Sequence, residues 1–188
     1  MCNYQPVAGL LDGTFCVAAI ELLGRRSSVK SFQVSLAGAT LGAMSAKKVL
    51  IDTDCGVDDA IAIMIALASP AEVSLLGITT VSGNVALANV VDNVLRLLSY
   101  LDRTDIPVFR GASRPLVEPP HYASDVHGAN GFGGVEMPPA RVGEQRERAP
   151  EGIARFAYEN PGLTLLTLGP LTNIARSLNL YPELLTVA

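Results

Sequence analysis

From residue 48 onward, short apolar runs alternate with stretches in which apolar residues recur every three to four positions. A nearly continuous apolar run of four to eight residues indicates a strand buried in a parallel sheet. A period of 3.6 residues indicates a helix with one apolar face. The predicted strands are KVLIDTD (48–54), VSLLGITTVSG (73–83), IPVFRG (106–111) and LTLLTLG (163–169). The predicted helices are DDAIAIMIALAS (58–69), ANVVDNVLRLLSYL (88–101), PEGIARFAYENP (150–161) and PLTNIARSLNL (170–180).

This alternation predicts an α/β fold, with a mostly parallel sheet and helices on both faces, because strands joined by helices are connected by right-handed crossovers. In such sheets the chemistry lies at the carboxyl ends of the strands. Residues 111–150 are rich in Gly and Pro and lack periodicity. A loop of that length inside a compact domain is usually functional.

The first 44 residues differ from the rest, since they show no sustained period. We therefore expect residues 1–44 to form a disordered or loosely packed N-terminal extension, whose weak similarity to a targeting segment is opposed by Asp12 and Glu21. Residues 45–188 then form one domain, a size that suits a chain of 188 residues.

Composition and charge exclude several classes of function. The formal net charge is −4, and the chain has no Trp and few aromatic residues on which bases could stack, so nucleic acid is not an expected partner. No uncharged apolar run reaches the roughly 18 residues that a membrane span requires. Three cysteines without a CxxC pair predict a reducing compartment, and hence a cytoplasmic location.

The segment VLIDTDCGVDDA places four aspartates within eight positions, directly after an apolar run. Asp58 and Asp59 are explained equally well as the acidic first turn of a helix. Asp52 and Asp54 are not, because they end a buried strand, where charge needs compensation. Carboxylates without His or Cys nearby predict a site for calcium or magnesium, and the spacing does not fit an EF-hand. Cys55, surrounded by these carboxylates, is predicted to be a small packing residue rather than a nucleophile.

Four ordered motifs, DTDCGVDDA, SGNV, DVHGANGFGG and LGPLTNIA, resemble those of the inosine-uridine preferring nucleoside hydrolase family. The resemblance runs from about residue 48 to the C-terminus. It implies a Rossmann-like nucleoside hydrolase core and the hydrolysis of ribonucleosides to free base and ribose. It also implies a calcium cofactor, a small nucleoside as the binding partner and a homo-oligomer in the full-length form.

The same resemblance implies roles for the acidic cluster. Asp54 corresponds to the metal-ligating general base, and Asp59 to the bidentate calcium ligand. Asp58 corresponds to the carboxylate that binds a ribose hydroxyl. Asp52 would orient this loop from behind the ligands.

Three further positions follow from the other motifs. Asn84 corresponds to the asparagine on the ribose side, and His127 to a histidine of the active-site loop. Leu168 occupies the position that offers its backbone carbonyl to calcium, so its side chain is immaterial. Thr172 and Asn173 are expected to cap the following helix and so to fix that carbonyl.

The chain also departs from the family pattern. Cys55 replaces the usual proline, and family members continue for well over a hundred residues past the last helix, where further ligands and base contacts lie. We therefore expect the activity of this truncated chain to be impaired. Two alternatives stay open: a haloacid-dehalogenase-like phosphohydrolase, against which Gly56 and the extra pair Asp58 and Asp59 argue, and a non-catalytic metal-binding fragment.

Overall fold

The computed structural model describes residues 46–187, so the predicted extension 1–44 lies outside the described residues. The strands are β1 (Lys47–Thr53), β2 (Val73–Thr80), β3 (Val108–Arg110) and β4 (Thr164–Thr167). The helices are α1 (Val57–Ala68), α2 (Leu87–Tyr100), α3 (Ser124–His127), α4 (Ala149–Glu159), α5 (Thr172–Leu180) and α6 (Leu184–Val187). All eight predicted elements are present, and α3 and α6 are short additions.

The four strands form one parallel sheet in the order β3-β2-β1-β4. The chain moves outward from β1 through β2 to β3, and then returns to pair β4 with the other side of β1. The connections that leave the carboxyl ends of β1 and β4 therefore diverge, which makes this the topological switch point of the sheet. The predicted α/β fold is confirmed.

Alternating residues of β1 supply the two faces of the sheet. Val49 and Ile51 pack with α1 and α2 on one face, whereas Leu50 packs with α4 on the other. Because successive side chains of a strand point to opposite faces, one seven-residue strand contributes to both cores. Helices thus cover both faces, as predicted.

The last strand is less buried than its apolar sequence predicts. Within the described residues β4 pairs only with β1, and Leu166 is 40% exposed. An apolar run shows that a strand can be buried, but its burial depends on what lies beside it. None of the described helices is long and apolar enough to cross a membrane.

Candidate active site

The predicted site residues gather at the carboxyl ends of β1 and β2, beside the turn that follows β4. Asp54 comes directly after β1, and Asn84 lies four residues beyond the end of β2. Gly169 comes two residues after the end of β4 and approaches the backbone of Asp54. The site therefore lies at the switch point, where open α/β sheets bind ligands.

Asp54 is buried between two glycines that admit its carboxylate. Its Oδ2 accepts a hydrogen bond of 2.7 Å from the backbone N–H of Asn84. A Cβ at Gly83 would lie 2.0 Å from that same oxygen, and one at Gly169 would lie 2.8 Å from the Asp54 nitrogen. Gly83 is required because its backbone passes against the Asp54 carboxylate, and Gly169 because it lies against the Asp54 backbone and Val81; neither has a positive φ.

Asp59, from the first turn of α1, meets Asp54 from the other side. Its Oδ2 accepts hydrogen bonds from Thr53 Oγ1 at 2.9 Å and from the Gly56 N–H at 3.4 Å. Burial, followed by the contact with the Asp54 carboxylate, raises the pKa of Asp59 from 3.8 to about 6. Two carboxylates in contact favour sharing a proton or a cation. The helix-capping interpretation thus holds for the Gly56 bond of Asp59, but it does not explain the contact with Asp54.

His127 and Asn84 converge over Gly56. A Cβ at Gly56 would lie 2.6 Å from Asn84 Nδ2 and 2.7 Å from His127 Nδ1. His127 Nδ1 accepts a long hydrogen bond, 3.4 Å, from the Val57 N–H and lies 3.9 Å from Asp58 Oδ1. The Asp58 side chain is 78% exposed, so its carboxylate is free to meet a ligand.

Asp52 lies behind this group and is fully buried. Its Oδ1 accepts hydrogen bonds from Thr79 Oγ1 at 2.5 Å and from Asn173 Nδ2 at 2.7 Å, while its Oδ2 has no partner among the described residues. Burial raises its pKa from 3.8 to about 6, although both hydrogen bonds oppose that rise. A phosphohydrolase of the haloacid-dehalogenase type would use Asp52 as an exposed nucleophile, so its burial argues against that alternative.

Asn173 does not cap α5, so this prediction is wrong. The cap position is Leu171, and no side chain caps the helix there. The Asn173 amide instead reaches into the sheet and binds Asp52, because a fully buried asparagine at the second helical residue finds its partners on the strand ends. Thr172 is buried as well and provides no cap bond.

Leu168 lies in the turn between β4 and α5. Its N–H donates to the Asp52 carbonyl at 2.8 Å, which fixes the turn against β1. The role of its own carbonyl as a metal ligand stays a prediction.

Cys55 is a packing residue, as predicted. It is fully buried in the apolar core, and burial, followed by the charges of Asp59, Asp54 and Asp58, raises the pKa of its thiol. Its φ of +30° is unusual for a residue with a side chain.

Asn93, which lies beside the site and holds the loop that carries His127, was not identified from the sequence. Asn93 of α2 is buried and donates from Nδ2 to the Asn130 carbonyl at 2.8 Å, so it fixes the loop that carries His127. A signal was present in the sequence, since Asn93 is the polar residue on an otherwise apolar helix face between Val90 and Val94.

The donor set partly fits a calcium ion. Asp54 and Asp59 supply two adjoining carboxylates, the hard oxygen ligands that calcium prefers. Across residues 46–187, however, no three side chains of His, Cys, Asp or Glu are grouped closely enough to hold a metal. Two adjoining carboxylates are thus the side-chain ligands that the described residues would offer to such an ion, and calcium binding stays a prediction.

Comparison with known proteins shows that this chain is similar to nucleoside hydrolases. The family model described as inosine-uridine preferring nucleoside hydrolase matches residues 49–188. A probable uridine nucleosidase 2 of Arabidopsis thaliana is 42% identical over 140 residues, which are 73% of this chain and 43% of that protein. The pyrimidine-specific ribonucleoside hydrolase RihA of Escherichia coli O9:H4 is 43% identical over 137 residues, or 72% and 44% of the two chains.

Among solved structures, the plant nucleoside hydrolase PpNRh1 superposes with a TM-score of 0.71 and 37% identity, covering 75% of this chain and 45% of that one. The chain spans less than half the length of the relatives it matches. The match nevertheless includes β2, β3 and β4, all of β1 except its first two residues, and every predicted site residue. The chain belongs to the inosine-uridine preferring nucleoside hydrolase family.

Proposed function

We propose that this chain takes part in the calcium-dependent hydrolysis of the N-glycosidic bond of ribonucleosides, which yields a free base and ribose. The observation that carries the proposal is the contact between the Asp54 and Asp59 carboxylates beside Asn84 and His127. Two adjoining buried carboxylates are unfavourable without a positive charge. Perturbed pKa values of this kind cluster at functional sites.

The chain's own residues suit the reaction chemistry. Cleavage of a glycosidic bond passes through an oxocarbenium-like state, which nearby carboxylates stabilise electrostatically. A water oxygen bonds to C1′ of the sugar as the bond to the base breaks, and Asp54 accepts a proton of that water. The base leaves with the bonding electron pair and takes a proton from solvent.

Substrate binding falls to the more accessible residues. Asp58 and the Asn84 amide would bind ribose hydroxyls, and His127 would line the site from its loop. Asp54 and Asp59, with the Leu168 carbonyl, would hold calcium. When bound, the ion would supply positive charge that increases the acidity of a neighbouring water.

The incomplete ligand set also determines what this chain can do alone. With two carboxylates grouped in the described part of the chain, we expect weak calcium binding and impaired turnover. A non-catalytic metal-binding role is the second candidate, and the same observation favours it. Cytoplasmic location and assembly into a homo-oligomer belong to the proposal too, and they rest on the cysteine content and the family resemblance.

Thermal unfolding of the purified chain in chelator, calcium or magnesium is the first test. A ligand that binds only the folded state raises the unfolding midpoint by mass action. We expect calcium to raise the midpoint more than magnesium does and Asp54→Asn to abolish the rise. The matched control is Asp105→Asn, an exposed aspartate paired with Arg103 near the amino end of β3, and it should keep the full calcium effect.

Turnover separates the two candidates. With inosine or uridine as substrate, slow calcium-dependent release of ribose that Asp54→Asn abolishes would support the hydrolase. Calcium stabilisation without ribose release would favour the non-catalytic role. Absence of both effects, or hydrolysis of a phosphate ester instead, would overturn the proposal.

A further inference from the structure

The side chain of Asn173 joins three strand ends to α5. Its Nδ2 donates to Asp52 Oδ1 at 2.7 Å and to the Thr80 carbonyl at 2.9 Å. Its Oδ1 accepts the N–H of Ala112 at 2.8 Å. One fully buried amide thus connects the ends of β1 and β2, and the loop after β3, to the start of α5.

Gly111 shows how closely this amide is enclosed. A Cβ at that position would lie 2.3 Å from Asn173 Oδ1, 2.4 Å from Asn173 Nδ2 and 2.3 Å from the Thr80 carbonyl. Gly111 has no positive φ, so close approach is what requires glycine here. The amide therefore has little freedom to shift.

The turn between β4 and α5 is tied to β1 on both sides of Gly169. Before it, the Leu168 N–H donates to the Asp52 carbonyl at 2.8 Å. After it, the Asn173 amide donates to the Asp52 carboxylate. Gly169, between these ties, lies so close that a Cβ would approach Asp54 Oδ1 to 3.2 Å. Asn173 is therefore one of the ties that hold this turn against β1 beside Asp54, together with the N–H groups of Leu168 and Gly169, which donate to the Asp52 carbonyl.

We propose that Asn173 is a positioning residue of the cation site, which sets the placement of the β4–α5 turn relative to the Asp54 carboxylate. The inference rests on the proposed calcium binding. Asn173 does not touch the ion; it acts through Asp52 and the turn. A site assembled from separate strand ends selects a cation by the spacing of its oxygens, so loosening one tie should weaken calcium binding and its preference over magnesium.

A purely structural role must be distinguished from this one. Ser177 provides the matched control, because it is buried on the same helix and donates from Oγ to the Asn173 carbonyl at 2.9 Å without contacting Asp52. Asn173→Ala and Ser177→Ala should both lower the unfolding midpoint in chelator. Only Asn173→Ala should alter the site.

The test is calorimetric titration of the chain with calcium and with magnesium, at a temperature where each variant is folded. We expect Asn173→Ala to weaken calcium binding at least tenfold and to narrow the difference between the two ions, whereas Ser177→Ala changes neither more than twofold. If Asn173→Ala does not fold, Asn173→Ser keeps a polar group at this position, is too short to bridge Asp52 and Thr80, and places no second carboxylate beside Asp52. It should show the same loss.

The outcomes separate the two proposals. Calcium affinity unchanged in the Asn173 variants, with wild-type binding intact, would overturn the positioning role alone. Absence of calcium binding by the wild type would overturn the proposed calcium dependence together with it.

Discussion

Two layers of polar side chains lie at the carboxyl edge of the sheet, and they differ in how their polar atoms are satisfied. The deep layer consists of Asp52, Thr79, Thr80 and Asn173. The outer layer consists of Asp54, Asp58, Asp59, Asn84 and His127. Every deep-layer residue is fully buried and hydrogen bonded, with Asp52 Oδ2 as the one unpaired atom among them. In the outer layer two carboxylates face each other, and Asp58 is largely exposed.

The difference indicates that the motif DTDCGVDDA serves both stability and ligand binding, because it supplies Asp52 to the deep layer and three aspartates to the outer layer. Buried polar groups with saturated hydrogen bonds specify a fold, because leaving any of them unpaired is costly. Facing carboxylates oppose stability until a cation binds. Substitutions in the deep layer should therefore lower stability, whereas substitutions in the outer layer should alter ligand binding with little loss of stability.

The largest effect is expected from Gly111→Ala, which would force the deep layer apart. The new methyl group would meet the Asn173 amide and the Thr80 carbonyl at 2.3 Å, and neither can retreat without breaking hydrogen bonds. Overpacking of this kind should lower the free energy of unfolding by about 3 kcal/mol or more, as measured by urea denaturation.

Gly143→Ala is the control for that measurement. A Cβ at Gly143 meets nothing within 4 Å, so its effect should stay within about 0.5 kcal/mol. Equal effects of the two substitutions would show that the deep layer is not closely packed.

The next effect concerns a single deep-layer hydrogen bond. Thr79→Val keeps the shape of the side chain but removes the donor that lies 2.5 Å from Asp52 Oδ1. Because the carboxylate stays buried with one donor fewer, unfolding should become easier by about 1 to 3 kcal/mol. Urea denaturation measures this loss, and the control Thr164→Val, at an exposed position of β4, should change the free energy of unfolding little. A loss no greater than that of Thr164→Val would contradict the assignment.

These layers could be predicted from the sequence only in part. Periodicity located all eight major elements, because a helix with one buried face and a fully buried strand each have a recognisable pattern of apolar residues within their own segment. The outer layer followed from the motifs. The bond between Asp52 and Asn173 joins residues 121 positions apart, so no local pattern reports it. The prediction of a helix cap at Asn173 was wrong because capping preference is local, and the tertiary partners prevailed.

The exposure of β4 was unpredictable for a related reason. Its apolar sequence is that of a buried strand, yet Leu166 is 40% exposed because only β1 pairs with β4 in the described region. Helix α3 was missed because its four residues, SDVH, are too few for a period. For Asp54 and Asp59, the sequence showed that aspartates cluster after β1, but not that these two carboxylates are in contact.

In the outer layer, Asp59→Asn should slightly stabilise the calcium-free chain at pH 8. The folded-state pKa of Asp59, about 6, lies above the ordinary 3.8, so the ionised carboxyl lowers stability above pH 6. That penalty disappears as the pH falls through 6 towards 4, where the carboxyl is protonated. We expect a gain on the order of 1 kcal/mol at pH 8 and only a small part of it at pH 4.

Urea denaturation in chelator at the two pH values measures this effect, and calcium should no longer stabilise the variant. The exposed Asp105 has a pKa lowered by Arg103, so Asp105→Asn should have the opposite sign at pH 8, a loss of about a few tenths of a kcal/mol. If Asp59→Asn instead lowered the free energy of unfolding equally at both pH values, the hydrogen bonds that Asp59 accepts from Thr53 and Gly56 would outweigh its repulsion with Asp54.

The smallest effect on stability is expected for Asp58→Asn. The side chain is 78% exposed and lies 3.9 Å from His127, so removing its charge should change the free energy of unfolding by less than about 0.5 kcal/mol. Its attraction for a cation at Asp54 is screened by water, so the calcium-dependent rise in the unfolding midpoint should persist. The further rise that inosine produces in the presence of calcium should fall, because Asp58 is proposed to bind a ribose hydroxyl. If Asp58→Asn instead abolished the calcium effect as Asp59→Asn does, the division of the outer layer into cation-binding and ribose-binding carboxylates would be wrong.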